Sequence, residues 1–383
     1  MTVDAGTATP AGAAPAVRAA ATNPSAGDPA GGRRRSRRLH RWAGIVVALL
    51  GLAAVQAAFA QPPRVRLFAT GGTISARPGA RLTAEELVAA IPDVARYARV
   101  ETEQVANLPS SALTFADWLR LARRLQESVG RDTGLAGAVV TCGTDTLEEL
   151  AYFLHLTIRD ERPVVVVGAM RRPGLPGAEG PANLLAAIRV AADPGARRRG
   201  VMVVLNDEIN SAREVTKTDA LRLHTFQSRS YGVLGVVDSD RVVFYRDSLR
   251  RHTYRSEFDL SDVEALSRVD VILTYQEAPG DLLRAAVDAG AAGLVIAGAG
   301  AGATSPSQRE ALRYALGKGV VVVLASRTGS GRVRAPDDRD AQDGTPAIVG
   351  AEDLTPIKAR VLLMLALTKT RDRAEIQRMF REY

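Results

Sequence analysis

Three short stretches of this chain place hydroxyl, carboxylate and amine groups just beyond apolar runs. In "RVRLFATGGTISAR", residues 64–77, a run that reads as a buried strand ends in Gly71 and Gly72 with Thr70 and Thr73 on either side. The glycines permit positive φ and close backbone approach, so Thr73 presents an alcohol at the strand's rim. Such an alcohol can attack a carbonyl carbon if a base or polarising neighbour lies within hydrogen-bond reach. A plain turn or an anion cradle explains the same glycines.

The second stretch, "TCGTDTLEEL" at 141–150, turns at Gly143 and offers Thr144, Asp145 and Thr146 at the start of a helical pattern. Here Asp145 followed by Glu148 also reads as a capping box. The third, "REVTKTD" at 213–219, sets Lys217 between two threonines, where a solvated lysine is the plainer reading. Cys142, the chain's one cysteine, excludes an internal disulfide and reads as a small buried hydrophobe. The four histidines are scattered without ligand spacing, so a zinc site is not expected.

The elements that must position these groups alternate. Strand candidates are 65–68, 137–142, 163–170 and 200–205, with a helix over "TLEELAYFLHLT", where Leu147, Leu150, Ala151, Leu154 and Ile158 share one face. Runs such as "PVVVVGAM" are apolar on both faces, as in a parallel sheet covered on each side. The fold class is α/β in two layered domains. The larger N-terminal domain, with a mostly parallel sheet, spans 61–245, a charged linker 246–268, and a smaller C-terminal α/β domain 269–383. In that second domain three strands alternate with helices, and a last helical region starts at Thr355.

Residues 1–60 stand apart. An Ala/Pro/Gly-rich start leads to the basic cluster "RRRSRRLHR" at 33–41 and the apolar run from Trp42 to Ala60. This order describes a secretory signal peptide cleaved after Ala60, and Arg37 and Arg38 invite a twin-arginine route. The chain carries +8, but residues 1–60 hold seven arginines and two acids, which leaves 43 basic against 40 acidic groups beyond them. The basic pI is therefore no argument for a nucleic-acid partner. With the leader removed, no membrane partner is expected either, and the destination is the periplasm or the exterior.

Longer motifs give these pieces a common meaning. "ATGGTI" at 69–74, "CGTDTLEELAYFL" at 142–154, "RPVVVVGAMR" at 162–171, "EGPANL" at 179–184, "REVTKT" at 213–218 and the end from Lys358 to Tyr383 resemble the bacterial L-asparaginase and glutaminase-asparaginase family, in the family's order. The resemblance implies hydrolysis of the asparagine side-chain amide through an acyl-enzyme on a threonine, without a cofactor, in a homotetramer whose sites lie at subunit interfaces. Thr73 matches the nucleophile. Thr144, Asp145 and Lys217 match the second catalytic cluster, with Lys217 left open as proton acceptor or charged polariser of Thr144.

In the substrate pocket the resemblance assigns the ammonium to Asp145, the carboxylate to Ser110, and the leaving amide to the Ala169 carbonyl. Backbone amides of Thr73 and Thr144 would face the oxyanion. Ser111 stands where many members carry glutamine. Secreted members also have a mobile loop with a tyrosine after the nucleophile, whereas "SARPGARLTAEEL" at 75–87 is short and has none. For an acid from a neighbouring subunit the chain offers Gln276, Glu277 and Asp281, or Asp337 and Asp338. The leading expectation is an asparaginase. The alternatives are a glutaminase-asparaginase of broad preference and an inactive periplasmic amino-acid-binding relative.

Overall fold

The computed structural model describes residues 61–335 and 348–383. The leader with its cleavage site, and Asp337 and Asp338, lie outside the described residues. In chain order the strands are β1 (Arg64–Gly71), β2 (Ala76–Arg77), β3 (Ala80–Arg81), β4 (Arg99–Leu108), β5 (Leu135–Thr141), β6 (Val164–Val167), β7 (Val201–Leu205), β8 (Glu208–Ser211), β9 (Thr216–Lys217), β10 (Phe226–Gln227), β11 (Gly235–Val237), β12 (Val242–Phe244), β13 (Val269–Leu273), β14 (Gly293–Gly298), β15 (Val321–Ser326) and β16 (Val349–Gly350). The α-helices among the described residues are α1 (Ala84–Ala89), α2 (Phe115–Arg131), α3 (Leu147–Thr157), α4 (Gly180–Ala192), α5 (Asp281–Asp288), α6 (Pro306–Gly317), α7 (Pro356–Ala366) and α8 (Arg373–Glu382).

The N-terminal domain is built on an eight-stranded sheet in the order β12-β11-β8-β7-β6-β5-β1-β4. From β4 to β7 neighbouring strands run parallel, and from β7 to β12 they run antiparallel. Alternate residues face opposite layers, as strand geometry demands. Phe68, Val140, Val166 and Val203 join one apolar cluster, while Leu67, Val139, Val165 and Val204 join another. The C-terminal domain is a smaller parallel sheet, β13-β14-β15-β16.

The strand order fixes where a site can form. The chain leaves β1 for β4 on one side, then crosses back to β5 on the other and moves on to β6. The connections after β1 and β5 thus diverge, and the crevice beyond the carboxyl ends of those two strands is the place where open α/β sheets bind ligands.

Two local readings of the sequence differ from the structure. The helix read over "TLEELAYFLHLT" runs from Leu147 to Thr157 and is buried on nearly every side rather than along one face, Glu148 and His155 included. Its second face is covered by α7, so that one apolar cluster runs through both domains. Each large apolar side chain taken out of water there contributes about 1.5–3 kcal/mol. Nor is there a capping box: Thr146 is the N-cap, makes no side-chain cap, and Glu148 turns elsewhere.

Candidate active site

The ends of β1 and β5 are tied level with each other. Ala69 pairs with Thr141, the Thr70 hydroxyl donates to the Thr141 carbonyl at 2.6 Å, and the Gly72 amide donates to the Leu108 carbonyl at 2.9 Å. Gly72 has φ +91° and ψ −173°, a region almost closed to side chains. An added Cβ there would lie 2.3 Å from the Gly143 nitrogen. The two glycine turns therefore touch backbone to backbone, and Thr73 and Thr144 are the residues that follow them in the chain. Thr73 opens a single 3₁₀ turn (Thr73–Ser75) and is half-buried.

Ser110 closes the third side. A Cβ on Gly143 would lie 2.8 Å from its hydroxyl oxygen, and the Thr146 amide donates to that oxygen at 3.3 Å. Ser110 is buried, whereas Ser111 is exposed. On the far side Gly168, at the end of β6, approaches Thr144 so closely that a Cβ would meet the Thr144 methyl at 3.2 Å. Ala169 follows, fully buried. The "EGPANL" motif holds this turn: Asn183 donates to the Gly168 carbonyl at 3.0 Å, and Glu179 accepts the amides of Met170 and Arg171.

Lys217 arrives from β9, which pairs with β10 through Lys217 and Phe226. Its ammonium nitrogen lies 3.1 Å from the Thr144 hydroxyl and 2.9 Å from the Asp145 carboxylate. Alcohol, amine and acid thus form a chain in which the Thr144 oxygen accepts from Lys217. Thr144 is buried, the Lys217 side chain is 17% exposed, and the Asp145 side chain is 74% exposed, its carboxylate open to solvent. Glu148 accepts both the Thr216 hydroxyl at 3.0 Å and the Lys217 amide at 3.1 Å. These contacts with β9 are not visible in its local reading as a cap.

Cys142, between the two glycine turns, is fully buried, and burial pushes its thiol up to about 12. It packs as a hydrophobe and carries no thiolate near neutrality. In place of a long loop after Thr73 stands a two-residue ribbon, β2 with β3, whose Arg81 donates to the Gly72 carbonyl at 2.8 Å. Gln276, Glu277 and Asp281 are exposed where β13 leads into α5.

Of the residues expected to act together, Thr144, Asp145 and Lys217 are linked directly by hydrogen bonds, Ser110 reaches the same turn through the Thr146 amide and Gly143, and Thr73 and Ala169 follow the glycines that pack against it. The contributions of Glu148, Glu179 and Asn183 were not read from sequence. A carboxylate or amide kept on an otherwise apolar helix was the available signal.

Comparison with known proteins gives this geometry its family. The model described as "Asparaginase, N-terminal" matches residues 64–250, and "Glutaminase/Asparaginase C-terminal domain" matches 268–380. L-asparaginase 2 of Bacillus subtilis is 41% identical over 84% of this chain and 87% of its own length. A probable periplasmic L-asparaginase of Haemophilus influenzae is 38% identical over 88% and 97%. The crystal structure of a probable cytoplasmic L-asparaginase from Campylobacter jejuni superimposes with a TM-score of 0.77 at 40% identity, covering 84% of this chain and all of that one. With both domains matched and such relatives spanning most of its length, the chain belongs to the asparaginase family.

Proposed function

We propose that this protein is an L-asparaginase-like amidohydrolase that converts L-asparagine to L-aspartate and ammonia through an acyl-enzyme on Thr73. The observation that carries the reading is the meeting of the Gly72 and Gly143 turns beside the Lys217–Thr144–Asp145 chain. The Thr73 hydroxyl attacks the side-chain amide carbon and its proton passes to the leaving nitrogen. The C–N bond breaks, ammonia departs, and a water held by Thr144, which Lys217 polarises, adds its hydroxyl to the acyl carbon while its proton passes to the departing Thr73 oxygen and restores the alcohol.

Asp145 faces the substrate ammonium and Ser110 its carboxylate, with Ser111 at the pocket's edge. The amides of Thr73 and Thr144 stabilise the oxyanion, and the Ala169 carbonyl accepts from the leaving amide. The short β2–β3 ribbon supports a second reading, a broader glutaminase-asparaginase, since a smaller cover leaves room for one more methylene.

The homotetramer with sites at subunit interfaces is part of this reading and rests on the family resemblance alone. The leader pattern of residues 1–60 and the periplasmic relative support export.

The test is ammonia release from asparagine and from glutamine at low substrate, for the parent and for Thr73→Ala. Turnover of asparagine by the parent and its loss in Thr73→Ala, with folding and ligand binding kept, is the expected result. Parent-level hydrolysis by Thr73→Ala sinks the mechanism. Equal kcat/KM for the two amides selects the glutaminase-asparaginase reading.

A further inference from the structure

The α7 sequence "KARVLLMLAL" is apolar apart from its basic residues, yet its Lys358 is 1% exposed. A buried ammonium must find partners or it costs several kcal/mol. Its nitrogen donates to the carbonyls of Ala212 and Arg213, both at 2.9 Å, and to that of Val215. Three donors thus meet three carbonyls of the segment that runs directly into Thr216 and Lys217.

The same segment is held from the N-terminal domain by Glu148, which is 5% exposed and accepts the Thr216 hydroxyl and the Lys217 amide. Arg213 adds a tie to the C-terminal domain, with two hydrogen bonds to Asp353 at 2.7 and 2.8 Å and one to the Tyr383 carbonyl. Lys217 itself has only a two-residue strand, paired to another of two residues, to hold its backbone. So short a ladder cannot fix an amine to a few tenths of an ångström.

We propose that Lys358 and Glu148 are positioning residues that grip residues 212–217 from the two domains and set where the Lys217 amine stands against Thr144. The C-terminal domain is then part of the catalytic apparatus although neither residue touches substrate. The inference rests on the role given above to Lys217. Burial pushes the Lys358 amine down to about 8, which leaves it mostly the three-donor ammonium at neutral pH.

The test compares the full chain with Lys358→Met, Glu148→Met and Glu148→Gln. Readouts are kcat and KM for asparagine, and amide hydrogen exchange in peptides covering 212–218. Both methionine variants should lose about tenfold or more in kcat, because a catalytic group loosely held costs rate rather than binding. KM should stay within about threefold, since Ser110 and Asp145 are untouched. Exchange at 212–218 should quicken in both. Glu148→Gln keeps an acceptor oxygen and should recover most of the lost kcat.

Parent kcat and unchanged exchange in a folded methionine variant overturn the proposal. So does Glu148→Gln proving as poor as Glu148→Met. If Lys358→Met fails to fold, the Glu148 pair decides alone. If the parent hydrolyses nothing, the functional reading fails, and the exchange measurement still decides whether the grip exists.

Discussion

Replacing Gly72 with alanine should part the two turns that form the site. At φ +91° and ψ −173° an alanine is strained by about 1–3 kcal/mol before any contact is counted. Its Cβ would lie 2.3 Å from the Gly143 nitrogen and 2.4 Å from the Gly143 Cα, where ordinary contact begins at 3.4 Å. Both neighbours are backbone, so the turns must separate by about 1 Å, and misplacement on that scale costs about a hundredfold in rate. Ammonia release and a thermal melt measure both effects. Gly72→Ala should lose about two orders of magnitude in kcat, with Tm falling by about 2–4 °C per kcal/mol of strain.

Gly290→Ala is the control: φ is +87°, but nothing lies within 4 Å of the added Cβ. It should cost about 1–2 kcal/mol of stability and no activity. Parent-like hydrolysis by Gly72→Ala would refute the contact between turns on which the site depends.

Three further outcomes follow from buried charges and from the pocket. Burial alone would raise the Asp353 carboxyl, but the Arg213 hydrogen bonds and charge outweigh it and hold the group below the usual carboxylate range. Asp353→Asn leaves a guanidinium that is 2% exposed without its counter-ion, so denaturant unfolding should show a loss of about 3–5 kcal/mol. Burial, then the Arg255 charge, push His252 down from 6.5 to about 4. His155, with its ring 5.1 Å away, is also held well below its ordinary value, by burial and then by His252. The unfolded chain protonates His252 below pH 6.5 and the folded chain only near 4. Stability present above pH 6.5 should therefore be lost on acidification, by roughly 3 kcal/mol at pH 4 from His252, and equilibrium unfolding at pH 7 and 4.5 should show most of it. Asp145→Ala should raise KM for asparagine by about tenfold or more through the lost ammonium contact, while parent-like KM would remove Asp145 from the pocket.

The parallel strands were legible because they are buried on both faces: β1, β5, β6 and β7 stand where Val-rich runs indicated. The run at 163–170 ended early, at Val167, because Gly168 begins the turn that carries Ala169. The antiparallel half, β8, β11 and β12, consists of strands of three to four residues and the separate β9–β10 pair of two each, too short for a period-2 pattern to register. In the second domain the three indicated strands are joined by β16, two residues long.

Within the site, Thr73, Thr144 and Asp145 stand just beyond strand-like runs, whereas the family resemblance, not its local setting, singles out Lys217. What holds them could not be read this way. Glu148 looks like a cap until β9 is seen beside it, and nothing local marks Lys358 as buried until the carbonyls of 212–215 are seen around it. Both depend on contacts between residues 68 or more positions apart, beyond any local window.

The central claim is that the alcohol of Thr73 is the group acylated. Incubating the full chain with an electrophilic analogue of asparagine, then digesting it and locating the added mass, tests this directly. The account predicts a single adduct on Thr73, absent from Thr73→Ala. An adduct on another side chain, with asparagine hydrolysis blocked by it, would contradict the account.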